Sequence, residues 1–325
     1  MSRRPIIIGI VGDSAAGKTT ISRGLQQILG PERVTHVCTD DYHKYDRKER
    51  AQLGITPLHP DCNYLDVLEL HLERLHYGQP FLKPVYEHAT GTLIRPNYVL
   101  PREFVVVEGL LGFHSAVMRQ FCDVKVYLDP PEELRKVWKI NRDTAKRGYV
   151  AEQVLAELEK REPDSRDFIR PQREHADIVV RFYPPKGTTP EEAGSDLNVR
   201  LVLRPTIPHP DLTYLCENNN SGIRLELSRD NGRPADFLEI EGSVASEHAA
   251  ELADAVWQHL PDLHSVREDD FGEYLDRAET RHSHPLALTQ LLLTYHLLRK
   301  YNDLSQMPFA PPVAALSRLQ SAPTP

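Results

Sequence analysis

Apolar residues gather in five short runs, at 6–11, 34–38, 104–107, 124–128 and 178–182, each too short for a helix and rich in Val and Ile, so each is read as a buried strand. Between most of them the apolar positions recur at helical spacing, which predicts helices over 18–29, 65–77, 114–121, 132–146 and 151–161, the last two divided by Gly148. Strands alternating with helices predict an α/β protein with a mostly parallel sheet flanked by helices, because parallel neighbours need a crossover between them.

The pattern changes after Phe182. Pro184, Pro185, Gly187, Pro190 and Gly194 fall close together, which reads as a linker over 184–198. Beyond it, runs at 199–203, 212–216, 223–227 and 237–240 predict short strands. Turn chemistry separates them, at Asn219-Asn220-Ser221-Gly222 and Asp230-Asn231-Gly232. Two helices follow, over 244–260 and 285–301, the second carrying Leu288, Leu291, Leu292, Tyr295 and Leu298 on one stripe. The expected organisation is a core over 1–183, the linker, a smaller C-terminal α+β unit over 199–309, and a disordered tail over 310–325 rich in Pro, Ala and Ser.

Composition narrows the class. With 325 residues, 40% hydrophobic and 26% charged, the chain can bury a full core and is not globally disordered. Its 39 Lys and Arg against 47 Asp and Glu leave a formal charge of -8, so no general attraction to nucleic acid or to an anionic membrane is expected, and any anionic ligand must be met locally. The four cysteines, Cys38, Cys62, Cys122 and Cys216, form no zinc or C-x-x-C pattern and suit a reducing compartment. The apolar stretch 286–298 is broken by Thr289, Gln290, Thr294 and His296, well short of a membrane span. A cytoplasmic location is expected.

Gly12-Asp13-Ser14-Ala15-Ala16-Gly17-Lys18-Thr19 matches G-x-x-x-x-G-K-[ST] and lies between a strand and a helix, the context that this phosphate-binding loop (P-loop) requires. The loop backbone would wrap phosphates at the helix N-terminus, Lys18 would reach the β- and γ-phosphates, and Thr19 would offer its hydroxyl to Mg²⁺, with Thr20 beside it in the nucleotide-binding set. Asp40-Asp41-Tyr42-His43 follows the second strand. At the carboxyl end of a parallel strand these acids face the same crevice. One could take a proton from an attacking hydroxyl and the other could hold the metal; the pair could equally cap a helix. His43 and Arg47 are candidates for the acceptor side. Glu108 ends a fully apolar strand, where a carboxylate can help hold the nucleotide's metal. Lys139, Arg142, Asp143, Lys146 and Arg147 share one helical face, a basic stripe able to neutralise a transferring phosphoryl group.

In order along the chain, the phosphate loop, Asp40-Asp41-Tyr42-His43 with Asp46-Arg47, Tyr86-Glu87-His88 with Thr90-Gly91, Glu108-Gly109-Leu110, and Arg142-Asp143 with Arg147-Gly148 resemble the phosphoribulokinase family. The likeness is strongest to the cyanobacterial and plant form. Pro171-Gln172 and His175-Ala176-Asp177 add to it, and uridine kinases are similar over much of the same stretch. The resemblance implies a P-loop kinase that uses ATP and Mg²⁺ to phosphorylate the 1-hydroxyl of ribulose 5-phosphate, and a homodimer. It implies Asp40 as base, Glu108 as Walker-B acid, and Lys139, Arg142 and Asp143 in the phosphoryl-stabilising lid. It places His43, Arg47, Tyr86, His88 and Arg147 on ribulose 5-phosphate. Asp41, with Thr19 and Glu108, completes the expected metal set. Light-regulated relatives carry a loop cysteine that pairs with the one matched by Cys38; here Ala16 stands in its place, so this thiol switch is not expected. Rival readings are a uridine or other sugar-phosphate kinase, or a nucleotide-dependent switch or assembly module. The missing N-K-x-D pattern and the acid pair speak against the switch.

Overall fold

The computed structural model describes residues 3–194, 196–217, 221–259, 271–276 and 279–306. In chain order the regular elements begin with β1 (Ile6–Gly12), α1 (Lys18–Leu29), β2 (Val34–Cys38), α2 (Arg47–Leu53), α3 (Leu65–His76), β3 (Phe81–Glu87) and β4 (Thr92–Val99). They continue with β5 (Phe104–Gly109), α4 (Ala116–Phe121), β6 (Val124–Leu128), α5 (Glu132–Arg147), α6 (Ala151–Asp164), β7 (Ile178–Tyr183) and α7 (Pro190–Ala193). The last are β8 (Asn198–Leu203), β9 (Ile223–Asp230), β10 (Arg233–Ile240), α8 (Ser246–Trp257), β11 (Glu273–Asp276), β12 (Glu279–His282) and α9 (His284–Gln306).

Eight strands form one sheet in the order β2-β5-β1-β6-β7-β8-β10-β9. The first five are mutually parallel, and β8, β10 and β9 are added antiparallel. Both faces are covered, which is why the strands read as continuous apolar runs rather than as alternation. Ile6, Ile8 and Ile10 of β1 pack with Leu25 of α1 and Leu291 and Tyr295 of α9, while Ile7 and Val11 pack with Leu68 and Leu72 of α3. Phosphate loop, Asp40 and Glu108 all lie at the carboxyl ends of the neighbouring parallel strands β1, β2 and β5.

Three expectations change. The 184–198 segment holds a turn of helix, α7, closed by a capping box between Thr189 and Glu192, and β8 then pairs directly with β7. The chain after 198 therefore extends the same sheet and shares its core, with α9 laid against α1, instead of building a core of its own. The run at 212–216 is not a strand; residues 213–217 form a 3-10 turn. Pro208 and Pro210 remove ladder donors just before it, and the Asp211 carboxylate accepts from the Thr213 amide (3.0 Å) and hydroxyl (2.6 Å). The β3–β4 hairpin was not foreseen because β4 is exposed along nearly its whole length and β3 contains Pro84 at a register shift between Lys83 and Val85, so neither strand shows a period of two. The expected turn at 219–220 and the tail over 310–325 lie outside the described residues.

Candidate active site

β1 ends where the chain must turn sharply under α1. A Cβ at Gly12 would stand 2.7 Å from the Leu128 carbonyl oxygen, and Gly17 takes φ 96° at the helix N-cap, so both glycines are required by geometry. Ala15 shares the left-handed region at φ 64°. The Ala16 amide donates to the Asp13 carbonyl (3.1 Å) and Thr20 lies exposed on the first turn of α1, its amide bonded to the Gly17 carbonyl (3.0 Å). The Lys18 ammonium donates to the carbonyls of Gly12 and Asp13, both at 2.8 Å. Burial lowers its pKa, opposed by Asp40, Glu108 and Asp13 and reinforced by Arg142; that set of charges marks the crevice.

Asp13 is clamped from the other side. Its carboxylate accepts from the Ser14 amide (2.7 Å) and the Ser165 hydroxyl, and Arg135 of α5 approaches to 3.5 Å while donating to the Ser14 carbonyl (3.1 Å). Arg135 lies four residues before Lys139, so the basic stripe runs one turn further toward the helix N-terminus than the sequence reading took it. Within the stripe, Lys139 donates to Asp143 (2.5 Å) and Arg142 donates to its other oxygen (2.8 Å). Burial pulls Lys139 down to about 8 against the attraction of Asp143. Burial would raise Asp143, but the hydrogen bonds from Arg142 and Lys139 override it and hold the carboxyl at about 2. Arg147 closes α5; its side chain, like that of Lys146, lies outside the described residues.

The ends of β2 and β5 meet closely. A Cβ at Gly109 would sit 1.7 Å from the Thr39 hydroxyl, which accepts from the Leu110 amide (3.1 Å). This packing sets the 3-10 turn Thr39–Tyr42 beside the phosphate loop. Its two acids differ completely. Among the described residues no hydrogen bond is made to the half-buried Asp40 carboxylate. Both oxygens of Asp41 are engaged, one by the Lys83 ammonium and the other by the Tyr86 amide (2.9 Å). Asp41, expected as a metal ligand, here bonds the Lys83 ammonium and the Tyr86 amide and so fastens β3 to the turn. The Thr19 hydroxyl faces both oxygens of Glu108, at 3.4 and 3.5 Å. His36, a polar residue within the mostly apolar run of β2, holds Glu108 through Nε2 at 3.0 Å.

On the acceptor side, Asn63 donates its amide to the carbonyls of Pro57 (3.1 Å) and His59 (2.9 Å), which aims its oxygen at His43 Nδ1 (2.7 Å). His43 Nδ1 is thus the donor, and Nε2 of the neutral ring is the acceptor. Burial lowers the His43 pKa, favouring that neutral form. The ring stands edge-on to Tyr86, whose ring in turn stands edge-on to His88. Arg47, at the start of α2, donates to the His88 carbonyl (2.6 Å) and is exposed, as is His88. Arg50, not foreseen, is buried and donates to the Tyr86 hydroxyl (2.6 Å) and the Tyr45 carbonyl (2.7 Å). The structure therefore brings His43, Arg47, Tyr86 and His88 together through the hairpin. Tyr86 offers its ring, its hydroxyl being bonded to Arg50. No sequence period could have flagged Lys83, Arg50 or Asn63, since the partner of Lys83 and that of Arg50 lie 42 and 36 positions away and Asn63 stands outside any helix or strand.

A model of the Phosphoribulokinase / Uridine kinase family matches residues 7–189. The chain is 36% identical to a phosphoribulokinase of Synechocystis, over 74% of its own length and 77% of that protein's. It is 32% identical to the chloroplastic phosphoribulokinase of Triticum aestivum over 67% of this chain, spanning 58% of that longer relative. A uridine kinase of Chloroflexus aurantiacus is 34% identical over 58% of this chain and 91% of its own. A solved phosphoribulokinase from Rhodobacter spheroides superposes with a TM-score of 0.57 over 79% of this chain and 97% of its own, at 21% identity, a likeness of fold. With the phosphate loop, the acid turn and the basic helix converging on one crevice, the chain belongs to the phosphoribulokinase/uridine kinase family.

Proposed function

We propose that the protein transfers the γ-phosphoryl group of ATP to the 1-hydroxyl of ribulose 5-phosphate, yielding ribulose 1,5-bisphosphate and ADP. The observation that carries this reading is the contrast within the acid turn: Asp40 keeps its carboxylate uncommitted beside Lys18, and its neighbour Asp41 is spent on holding the acceptor-side hairpin. Asp40 accepts the proton of the 1-hydroxyl as its oxygen bonds to the γ-phosphorus and the bond to the β,γ-bridging oxygen breaks. The alignment with the Synechocystis enzyme runs over 256 residues against 196 for the uridine kinase, reaching past the kinase core, which favours the sugar phosphate over the nucleoside.

The nucleotide's phosphates are received by the amides of 12–19 at the N-terminus of α1, with Lys18 supplying charge. Thr19 and Glu108 are hard oxygen donors facing one another. Among the described residues no cluster of three or more His, Cys, Asp or Glu could hold a metal alone, which fits Mg²⁺, a cation usually bound through one or two protein oxygens and the substrate phosphates. When bound there, the cation supplies charge neutralisation to the phosphate oxygens. Lys139 and Arg142, held ready by Asp143, do the same from the lid. His43 Nε2 accepts from a sugar hydroxyl, and Arg47 and His88 meet the 5-phosphate. Comparing ADP release with ribulose 5-phosphate and with uridine tests the assignment. Turnover with the sugar phosphate and little with uridine is expected; the opposite preference overturns it.

A further inference from the structure

Glu108 is 5% exposed at the end of β5, and a buried carboxylate must have its orientation set by something. The Thr19 hydroxyl lies at 3.4 and 3.5 Å from its two oxygens, near the limit of a useful hydrogen bond, so it does not fix the carboxylate. The short contact comes from His36 Nε2, at 3.0 Å to Oε1. Register explains the meeting. Cys38 is the direct partner of Glu108 and His36 that of Val106, so His36 and Glu108 are diagonal neighbours on one face of the sheet, within reach of a long side chain. As β2 is the edge strand, the His36 side chain remains 32% exposed beyond the contact. A carboxylate oxygen can only accept, so Nε2 carries the proton and donates.

We infer that His36 is a positioning residue for the nucleotide's divalent cation: its Nε2–H holds one oxygen of Glu108 and thereby turns the carboxylate toward Thr19. This rests on the reading of Glu108 and Thr19 as the metal's protein ligands. Partners that orient a ligating carboxylate in this way typically change metal affinity about 10–100-fold when removed. A neutral imidazole suffices for the role, which requires a donor at one point rather than a charge. It also requires the atom at the Nε2 position, so glutamine, whose amide nitrogen can reach the same place, should substitute, and leucine should not.

The test is calorimetric. The dissociation constant of a non-hydrolysable ATP analogue is measured with saturating Mg²⁺ and without divalent cation, and the ratio of the two reports the coupling of metal to nucleotide. His36→Leu is expected to shrink this ratio about tenfold while leaving the metal-free affinity unchanged, and His36→Gln is expected to keep it within about threefold of the native value. A native ratio in His36→Leu, or a loss in His36→Gln as large as in His36→Leu, overturns the inference. Glu108→Gln separates it from the reading beneath: a native ratio in that variant removes Glu108 as ligand, and a collapsed ratio there beside a native one in His36→Leu removes His36 alone.

Discussion

The nucleotide side and the acceptor side of this crevice are built in different ways. The phosphate loop is a single stretch from Gly12 to Thr19, with Lys18 bonded to carbonyls only five and six residues away and outside ties from Arg135 and Ser165 at Asp13 and Ser14. The acceptor side is assembled from the turn Thr39–Tyr42, the start of α2, Asn63 and the β3–β4 hairpin, tied by Lys83–Asp41, Arg50–Tyr86 and Asn63–His43. A site made mainly of one segment depends less on the rest of the chain than a site made of four, which depends on each tie. Binding of ATP and binding of the sugar phosphate should therefore be separable by mutation.

The largest expected effect is at the boundary between the two sides. Asp40→Asn keeps the shape and removes the base, so kcat should fall about 10²–10⁴-fold, with ATP affinity in a calorimetric titration unchanged. Near-native turnover would remove Asp40 as base and dissolve the distinction from Asp41. Next is Asp41→Asn, which leaves the buried Lys83 ammonium without its counter-charge, a change that typically costs about 3–5 kcal/mol in the intact pair's surroundings. The hairpin should loosen, raising KM for ribulose 5-phosphate about tenfold more than KM for ATP. The cycle with Lys83→Met sharpens this: the double variant should recover part of the loss, because no charge is then stranded. Equal effects on both substrates would erase the two-sided comparison.

A smaller effect belongs to pH. Lys139, pulled down by burial to about 8, is charged below that value and loses its charge as pH rises through it. The alkaline limb of kcat/KM for ATP should lie near there, since this ratio reports the free enzyme. Lys139→Arg should move the limb upward while leaving the acid side in place, as arginine stays protonated. An unmoved limb would assign it to another group. The smallest effect is expected from mild oxidation. Burial, with Asp40, Glu108 and Asp41 adding to it, pushes the Cys38 thiol well up, and the loop position where the light-regulated relatives carry a cysteine is Ala16, so activity before and after treatment with a dithiol should agree. A reversible loss abolished by Cys38→Ser would contradict this.

Legibility along the chain follows the range of the forces involved. The parallel strands could be read because both of their faces are buried, and a run such as Phe104-Val105-Val106-Val107 has few alternatives. The β3–β4 hairpin could not, because Pro84 and an exposed β4 erase its period. The separate C-terminal unit was suggested by a cluster of Pro and Gly at 184–194, yet edge pairing between β7 and β8 outweighs local composition and continues one sheet. Arg135 and Ser165, which grip Asp13 from α5 and from the end of α6, were invisible for the same reason: each is an ordinary helical residue until folding brings it to the loop.

By itself the sequence determined the phosphate loop, the parallel sheet beneath it, the basic face of α5 and the acid at the end of β5, because each depends on backbone geometry or periodicity within a few residues. It left Asp40 and Asp41 equivalent: adjacent, identical in chemistry, and on the same turn. Only the tertiary structure separates them, through Lys83 and the Tyr86 amide, 42 and 45 positions further along the chain. The same holds for His36 and Glu108, 72 positions apart and joined by strand register. A carboxylate's role is set by which donors surround it, and donors that arrive from distant segments leave no trace in local pattern.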